Sequence, residues 1–257
     1  MSKKQQLNKI LNELKAQAPL VHNITNYVVM NTTANALLAI GASPVMAHAI
    51  EEVEDITSIA SALVINMGTL SPKWVEAMEL AIKKANQLNI PVVFDPVGVG
   101  ASSYRTKTAL RIIEQYKPSV IRGNASEILA LTQLSNNTKG VDSTISSENA
   151  LNAAQELSKK LNSTIVISGA VDYIITGELM DKVTKGKPIM AKVTGMGCTA
   201  TSIIGSCVAV NTNYHVASHM AMELMGKAGN MVDKISHGTG SFQVNFLDAL
   251  YQISNKE

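Results

Sequence analysis

The stretch that decides the fold is Lys192–Ser206, which reads KVTGMGCTATSIIGS. The apolar run before it, 188–193, predicts a strand, and the small residues from Cys198 onward predict a helix. Gly195 and Gly197 therefore lie where a strand is expected to turn into a helix. Glycines let a backbone approach a ligand closely, and a helix N-terminus offers free N–H groups to an anion. The loop is a candidate phosphate site, although a tight turn with a small buried cysteine explains the same residues.

Two known phosphate motifs can be compared with this loop. A Walker loop ends in Gly-Lys-Ser/Thr, and no such lysine is present. Residues 195–200 do match the G-x-G-x-x-G/A pattern of dinucleotide-binding folds, but that fold also needs an acid at a strand end about twenty residues on. The corresponding acid, Glu223, falls inside a predicted helix. These observations disfavour a nicotinamide-dependent oxidoreductase.

Strand patterns alternate with helix patterns along the rest of the chain. This alternation predicts an α/β fold, a three-layer sandwich with helices on both faces of a mainly parallel sheet, in a single domain over residues 1–257. The residues from Cys198 onward are expected to be mostly helical, 170–186 a hairpin and 134–145 a loop. The other predicted helices are 3–16, 27–41, 48–62, 71–89, 104–116, 124–134 and 146–162, and the other strands are 19–25, 62–68, 90–95, 118–123 and 164–168.

Composition excludes several classes of function. The chain has 257 residues, a net charge of +2, and acids and bases mixed along its length, so no basic stripe indicates nucleic acid. No run approaches the ~20 apolar residues of a membrane-spanning helix. The first residues are basic but lack the apolar core of a signal peptide, so we expect a cytoplasmic protein with two free cysteines, Cys198 and Cys207.

Polar residues follow several predicted strands, where ligands of parallel sheets bind. Asp95 could hold Mg²⁺ or its waters, although an aspartate before Pro96 is also a common turn residue. Asn124 and Glu127 have the spacing of a capping box, and Glu127 could also be a second acid near the metal. Arg122 ends an apolar strand and is a candidate phosphate ligand.

Six segments together resemble the hydroxyethylthiazole kinase family of the ribokinase-like superfamily. They lie in order between residues 19 and 201 and read PLVHNITNYVVMNTTANALLAIGASPVM, INMGTL, PVVFDPVGVGAS, VIRGNASEILAL, VISGAVDYI and VTGMGCTAT. The resemblance implies a ribokinase-like sandwich without a separate lid domain. It also implies ATP- and Mg²⁺-dependent phosphorylation of 4-methyl-5-(2-hydroxyethyl)thiazole in thiamine salvage, by a homotrimer with active sites at subunit interfaces.

The resemblance also assigns roles to residues that match the family's motifs. It implies thiazole contacts from Asn26, Met46, Gly68 and Gly195, ATP contacts from Arg122, Ser168, Thr194 and Gly197, Mg²⁺ binding by Asp95 and Glu127, and a place beside the reacting hydroxyl for Cys198.

Cys198 departs from the wider superfamily, which carries aspartate at this position as a base. A thiol pKa of about 8.5 is expected to fall near a helix N-terminus, so Cys198 could accept the hydroxyl proton or merely orient the hydroxyl. Phosphoryl transfer needs little deprotonation of the nucleophile. We therefore expect Cys198 to assist the reaction without being indispensable.

Two further functions remain open at this point. One is another kinase of the same fold, such as a hydroxymethylpyrimidine kinase, although HNITNYV and SPVM resemble the thiazole branch. The other is a precursor-binding protein without activity, which the joint presence of Asp95, Glu127 and Arg122 disfavours.

Overall fold

The computed structural model describes residues 1–135 and 147–255, and its strands form one eight-stranded sheet. The strands are β1 (Leu20–Ile24), β2 (Ser43–Val45), β3 (Ala62–Asn66), β4 (Val92–Asp95), β5 (Val120–Asn124), β6 (Thr164–Ser168), β7 (Asp172–Thr176) and β8 (Leu179–Val183). Their order across the sheet is β2-β1-β3-β4-β5-β6-β7-β8. The pairs from β2 to β6 are parallel, and β7 and β8 add an antiparallel edge.

Helices cover both faces of this sheet. They are α1 (Lys3–Gln17), α2 (Met30–Ala39), α3 (Val53–Ile59), α4 (Pro72–Gln87), α5 (Ser103–Tyr116), α6 (Ala125–Ser135), α7 (Ser147–Leu161), α8 (Met196–Val210), α9 (Tyr214–Val232) and α10 (Thr239–Ser254). No helix in the described residues is both long enough and apolar enough to cross a bilayer.

The strands have apolar residues on both faces, and successive residues enter two separate cores. In β3, for example, Val64 joins the core beneath α1, α2, α8, α9 and α10, whereas Leu63 and Ile65 join the core beneath α4 and α5. A parallel strand buried on both faces is expected to read as a continuous apolar run, as this one does. The predicted three-layer α/β sandwich is therefore confirmed.

Most predicted elements are confirmed, and several of the differences lie near the ends of the first strands. The helix expected from residue 27 begins at Met30, and the helix expected over 48–62 is limited to Val53–Ile59. The three-residue strand β2 was not predicted, because so short a segment has no readable periodicity. The hairpin is confirmed as β7 and β8, whereas most of the loop predicted for 134–145 lies outside the described residues.

The strand predicted for 188–193 is wrong. Pro188–Lys192 forms a 3-10 helix, in which Met190 N donates to Lys187 O at 3.0 Å and Val193 N to Met190 O at 3.2 Å. These local hydrogen bonds satisfy the backbone without a sheet partner. The Met190 side chain packs on α9 at Gly229, where a Cβ would collide with its sulfur. The loop before α8 therefore follows a 3-10 helix and not a strand.

Gly205 allows α8 to lie close to the sheet, which gives a stability prediction. A Cβ at Gly205 would overlap the Cγ2 atom of Val64, whereas a Cβ at Gly240 in α10 would meet nothing within 4 Å. We expect Gly205→Ala to lower the free energy of unfolding by about 1–3 kcal/mol through overpacking. Gly240→Ala, the matched control, should not measurably lower the free energy of unfolding. Denaturant unfolding compares the two, and equal effects would contradict this account of α8 packing.

Candidate active site

The N-terminus of α8 is fixed by a glycine in a left-handed conformation. Gly195 is the N-cap residue with φ of 84°, and a Cβ at this position would lie 2.7 Å from Val29 Cγ1. Both the backbone angle and the close neighbour therefore require glycine. Gly195 has no side chain with which to cap the helix, so the N–H groups of its first turn keep their capacity to bind an anion.

The guanidinium group of Arg122 lies against this first turn. A Cβ at Gly197 would fall 2.5 Å from Arg122 Nη1, so a larger residue here would have to displace the guanidinium group. Arg122 also donates a hydrogen bond to the Ser168 hydroxyl, and its side chain is only 12% exposed. Its buried Nε–H has no hydrogen-bond partner among residues 1–135 and 147–255. A rigid cation thus stands beside free helix N–H groups.

Asp95 is the buried group that connects these elements. Its Oδ2 atom accepts hydrogen bonds from Asn66 Nδ2 and from Thr201 Oγ1, each at 2.8 Å. Arg122 Nη1 lies 3.6 Å from the same oxygen. Burial raises the pKa of Asp95 to about 6, against the opposing effect of the Arg122 charge. One carboxylate therefore joins β3, β4, β5 and α8.

The two predicted metal ligands have different surroundings. Asp95 Oδ1 is buried and has no hydrogen-bond partner in the part of the chain that the structure describes, whereas both oxygens of Glu127 already accept backbone hydrogen bonds. Glu127 Oε2 accepts from Asn124 N and Oε1 from Gly98 N, each at 2.9 Å, so the predicted capping box is confirmed. No group of three or more His, Cys, Asp or Glu within 1–135 and 147–255 is arranged to hold a metal.

Cys198 belongs to a chain of amide contacts that begins at Asp95. Asn66 donates to Asp95, Asn26 Nδ2 donates to Asn66 Oδ1 at 2.8 Å, and Asn26 Nδ2 also lies 3.4 Å from Cys198 Sγ. Gly68 N donates to Asn66 Oδ1 at 2.9 Å, and a Cβ on Gly68 would collide with Asn26. The backbone and side chains around Cys198 are thus held in one arrangement.

The expected fall in the pKa of Cys198 is wrong. Burial is the main cause that raises the pKa of this thiol, and the negative charge of Asp95 adds to it. Hydrogen bonds from Asn66 and Asn26 and the charge of Arg122 oppose the rise but do not reverse it. The thiol therefore stays protonated at neutral pH.

A cavity of about 780 Å³ opens beside the α8 N-terminus. Its lining includes residues of the chain after β8 and of α9. The predicted ATP residues all line it, namely Arg122, Ser168, Thr194 and Gly197, as does Gly195. Asp172, also in its wall, accepts from Gly169 N at 3.0 Å, and burial raises its pKa to about 6.

The structure brings most of the predicted site residues together at the carboxyl edge of the sheet. Met46 directly follows β2, two strands from Asn66, at the margin of this group. Sequence reasoning did not identify Asn66 and Thr201 as the hydrogen-bond donors to Asp95. It also did not identify Arg105, which donates to backbone carbonyl groups after β3 and β4. The positions of Asn66 and Thr201 could have indicated a place in the site, because Asn66 ends a buried strand and Thr201 lies on the same face of α8 as Gly197. The position of Arg105 gave no such indication.

Comparisons with known proteins agree on one family. The model of the family described as "Hydroxyethylthiazole kinase family" matches residues 11–256. A protein named hydroxyethylthiazole kinase from Syntrophus aciditrophicus is 52% identical over 95% of this chain and 91% of its own length.

Two solved structures are also similar to this chain. A hydroxyethylthiazole kinase protein from Pyrococcus horikoshii is 40% identical with a TM-score of 0.89, covering 96% of this chain and 93% of its own. A ribokinase-like superfamily protein from Enterococcus faecalis is 19% identical with a TM-score of 0.67, covering 99% and 94%. The second likeness shows the fold alone, which is the ribokinase-like sandwich without a separate lid.

The raised pKa of Cys198 can be measured by alkylation. Iodoacetamide reacts with thiolate, so we expect the pH of half-maximal alkylation of Cys198 to lie above the ~8.5 of a free thiol. Cys207, which is fully buried with a pKa of about 12, should stay unmodified in the folded protein. Mass spectrometry locates the adduct, and Cys198→Ser is the control. Half-maximal reaction of Cys198 below pH 8.5 would show that the helix N-terminus prevails over burial.

Proposed function

The chain belongs to the hydroxyethylthiazole kinase family, and from that premise we propose how its residues perform the reaction. The enzyme is a kinase that transfers the terminal phosphoryl group of ATP to the hydroxyl of 4-methyl-5-(2-hydroxyethyl)thiazole, a reaction of thiamine salvage. The observation that carries the proposal is the uncapped N-terminus of α8, which opens beside Arg122 into a cavity large enough for a nucleotide.

ATP binds in this cavity with its phosphates toward the α8 N-terminus. The N–H groups from Gly195 onward and the Arg122 guanidinium supply donors and positive charge to the transferred group, where phosphoryl transfer gains most. Ser168 and Thr194 line the same wall and contact the phosphates or ribose. The methionine-containing end, near Met222 and Met225, receives the base.

Asp95 and Glu127 hold Mg²⁺ in this proposal. The free Oδ1 of Asp95 fits a cation or its water, and Glu127 acts through water because backbone N–H groups already occupy both of its oxygens. Magnesium usually takes only one or two protein carboxylates and completes its shell with water and phosphate, so two acids suffice. Bound Mg²⁺ neutralises charge on the phosphates.

The thiazole alcohol occupies the opposite side of the α8 N-terminus. Asn26 and Gly68 form its floor, Gly195 borders it and Met46 closes its outer side. Cys198 orients the hydroxyl as a neutral thiol, which is consistent with its raised pKa. Alignment of the hydroxyl with the phosphoryl group then supplies most of the rate.

The enzyme assembles as a homotrimer with active sites at subunit interfaces. Tyr27 and Val28 directly follow Asn26, and they are 65% and 63% exposed. Adjacent exposed apolar side chains at the rim of a site favour contact with another protein surface. We further place the enzyme in the cytoplasm, where ATP is available, and treat the chain as one kinase domain.

Incubation with ATP, Mg²⁺ and the thiazole alcohol tests the function. Mass spectrometry should detect the alcohol carrying one phosphoryl group, and a chelator should abolish its formation. Hydroxymethylpyrimidine is the control substrate. Preferred phosphorylation of the pyrimidine would favour the other vitamin-precursor kinase, and binding of the thiazole without turnover would favour a precursor-binding protein.

Substitutions at Cys198 test its assisting role. Cys198→Ala should lower kcat by roughly 10- to 100-fold without abolishing it, because charge stabilisation by α8 and Arg122 remains. Cys198→Asp should match or exceed the wild-type kcat, because a carboxylate next to Asp95 is a competent base. Complete inactivity of a folded Asp variant would contradict the proposed role.

A charge in the exposed apolar rim tests the trimer. Val28→Asp should dissociate the assembly, because burying an unpaired carboxylate costs several kcal/mol per subunit. The control is Leu179→Asp on the edge strand β8, where an equally exposed apolar residue is replaced. Sedimentation velocity should give trimers for the wild type and the control. A monomeric wild type, or a trimeric Val28→Asp variant, would refute the assignment of this surface.

A further inference from the structure

Arg105 reaches from α5 into two loops at the carboxyl edge of the sheet. Its Nη1 atom donates to Met67 O and, at 2.7 Å, to Val97 O, and its Nη2 atom donates to Gly68 O. The first and last of these acceptors follow β3, and Val97 follows β4. One planar guanidinium group therefore holds two strand-end loops together. A planar fork of donors suits this task, and an ammonium group cannot reproduce it.

The surrounding backbone is shaped to place this arginine. Arg105 lies in the first turn of α5, where its N–H donates to the Ser102 hydroxyl at 3.3 Å. Its aliphatic stem crosses Gly98, which has φ of 73°, and a Cβ there would lie 3.3 Å from Arg105 Cδ. The helix start and the glycine turn together bring the guanidinium to the carbonyl groups.

The contacts lead from Arg105 to both sides of the reaction. Gly68 is held against Asn26, whose Nδ2 lies 3.4 Å from Cys198 Sγ. On the other side, Val97 precedes Gly98, whose N–H donates to Glu127 Oε1. Arg105 does not line the nucleotide cavity. Its influence is therefore directed mainly at the alcohol side of the site, because Glu127 is also held by the hydrogen bond from Asn124 N, which does not involve Arg105.

We infer that Arg105 is a positioning residue that fixes the floor of the alcohol site through the carbonyl groups of Met67, Gly68 and Val97. This inference rests on the function proposed above, because the alcohol is placed against Gly68. Loss of the guanidinium frees the loop after β3 from the loop after β4. The alcohol then binds in several orientations, while the phosphates keep their donors from α8 and Arg122.

The test measures KM for the thiazole alcohol and KM for ATP in Arg105→Ala and Arg105→Lys. We expect Arg105→Ala to raise KM for the alcohol about tenfold or more, since hydrogen bonds to a charged group are lost, and to change KM for ATP less than about threefold. Arg111→Ala is the matched control, because Arg111 lies on the same helix, is exposed and pairs with half-buried Glu79. The control should keep both constants.

Chemical rescue separates positioning from general stability. Guanidinium added at millimolar concentration should restore part of the lost alcohol affinity of Arg105→Ala, and ethylammonium should restore less. Equal increases in both KM values, or wild-type alcohol KM in a folded Ala variant, would overturn the inference.

Two further outcomes are distinguished, namely misfolding of the variant and failure of the proposed function. If circular dichroism shows that Arg105→Ala does not fold, Arg105→Lys decides, and wild-type constants in that variant would overturn the inference. If the wild type itself does not phosphorylate the alcohol, the proposed function fails, and that outcome is distinct from failure of the role of Arg105.

Discussion

The site depends on one buried carboxylate. Asp95 accepts hydrogen bonds from Asn66 of β3 and Thr201 of α8 and lies 3.6 Å from the Arg122 guanidinium of β5. A buried negative charge is costly unless hydrogen bonds and a cation stabilise it. The rise of the pKa of Asp95 to about 6 reflects this cost of burial. The partners thus fix where α8 begins relative to the strand ends, and the position of the proposed phosphate donors follows from that geometry.

The small residues of α8 and its flanking loop make this arrangement possible. Gly195 adopts the left-handed turn against Val29, Gly197 admits Arg122, and Gly205 lets the helix approach Val64. Each glycine removes a Cβ where another group of the site or the core must fit. The unusual sequence between the 3-10 helix and the middle of α8 therefore reflects three separate close approaches, each to a different strand or loop.

Much of the fold could be predicted from sequence, because buried strands read as apolar runs and helices as 3.6-residue patterns. The failures are short segments. Pro188–Lys192 has the composition of a strand, but no periodicity separates a five-residue apolar run from a 3-10 turn packed on α9. In the site, the meeting of Asp95 and Arg122 at the carboxyl edge of the sheet was predictable, because both lie at or near strand ends. The hydrogen bonds of Arg105 were not predictable, because their acceptors are backbone carbonyl groups, which leave no pattern in the sequence. The prediction of a lowered pKa for Cys198 was wrong for a similar reason. That pKa depends on burial and on the charge of Asp95, which is distant along the chain.

In the proposed reaction, the α8 N-terminus and Arg122 hold the transferred phosphoryl group against the alcohol beside Cys198. A crystal structure with the thiazole alcohol and a non-hydrolysable ATP analogue measures the distance from the alcohol oxygen to the terminal phosphorus. The account predicts about 3–3.5 Å, with the phosphate on the N–H groups of the first turn of α8. A terminal phosphate bound away from that turn, or a hydroxyl outside hydrogen-bonding reach of Cys198, would contradict it.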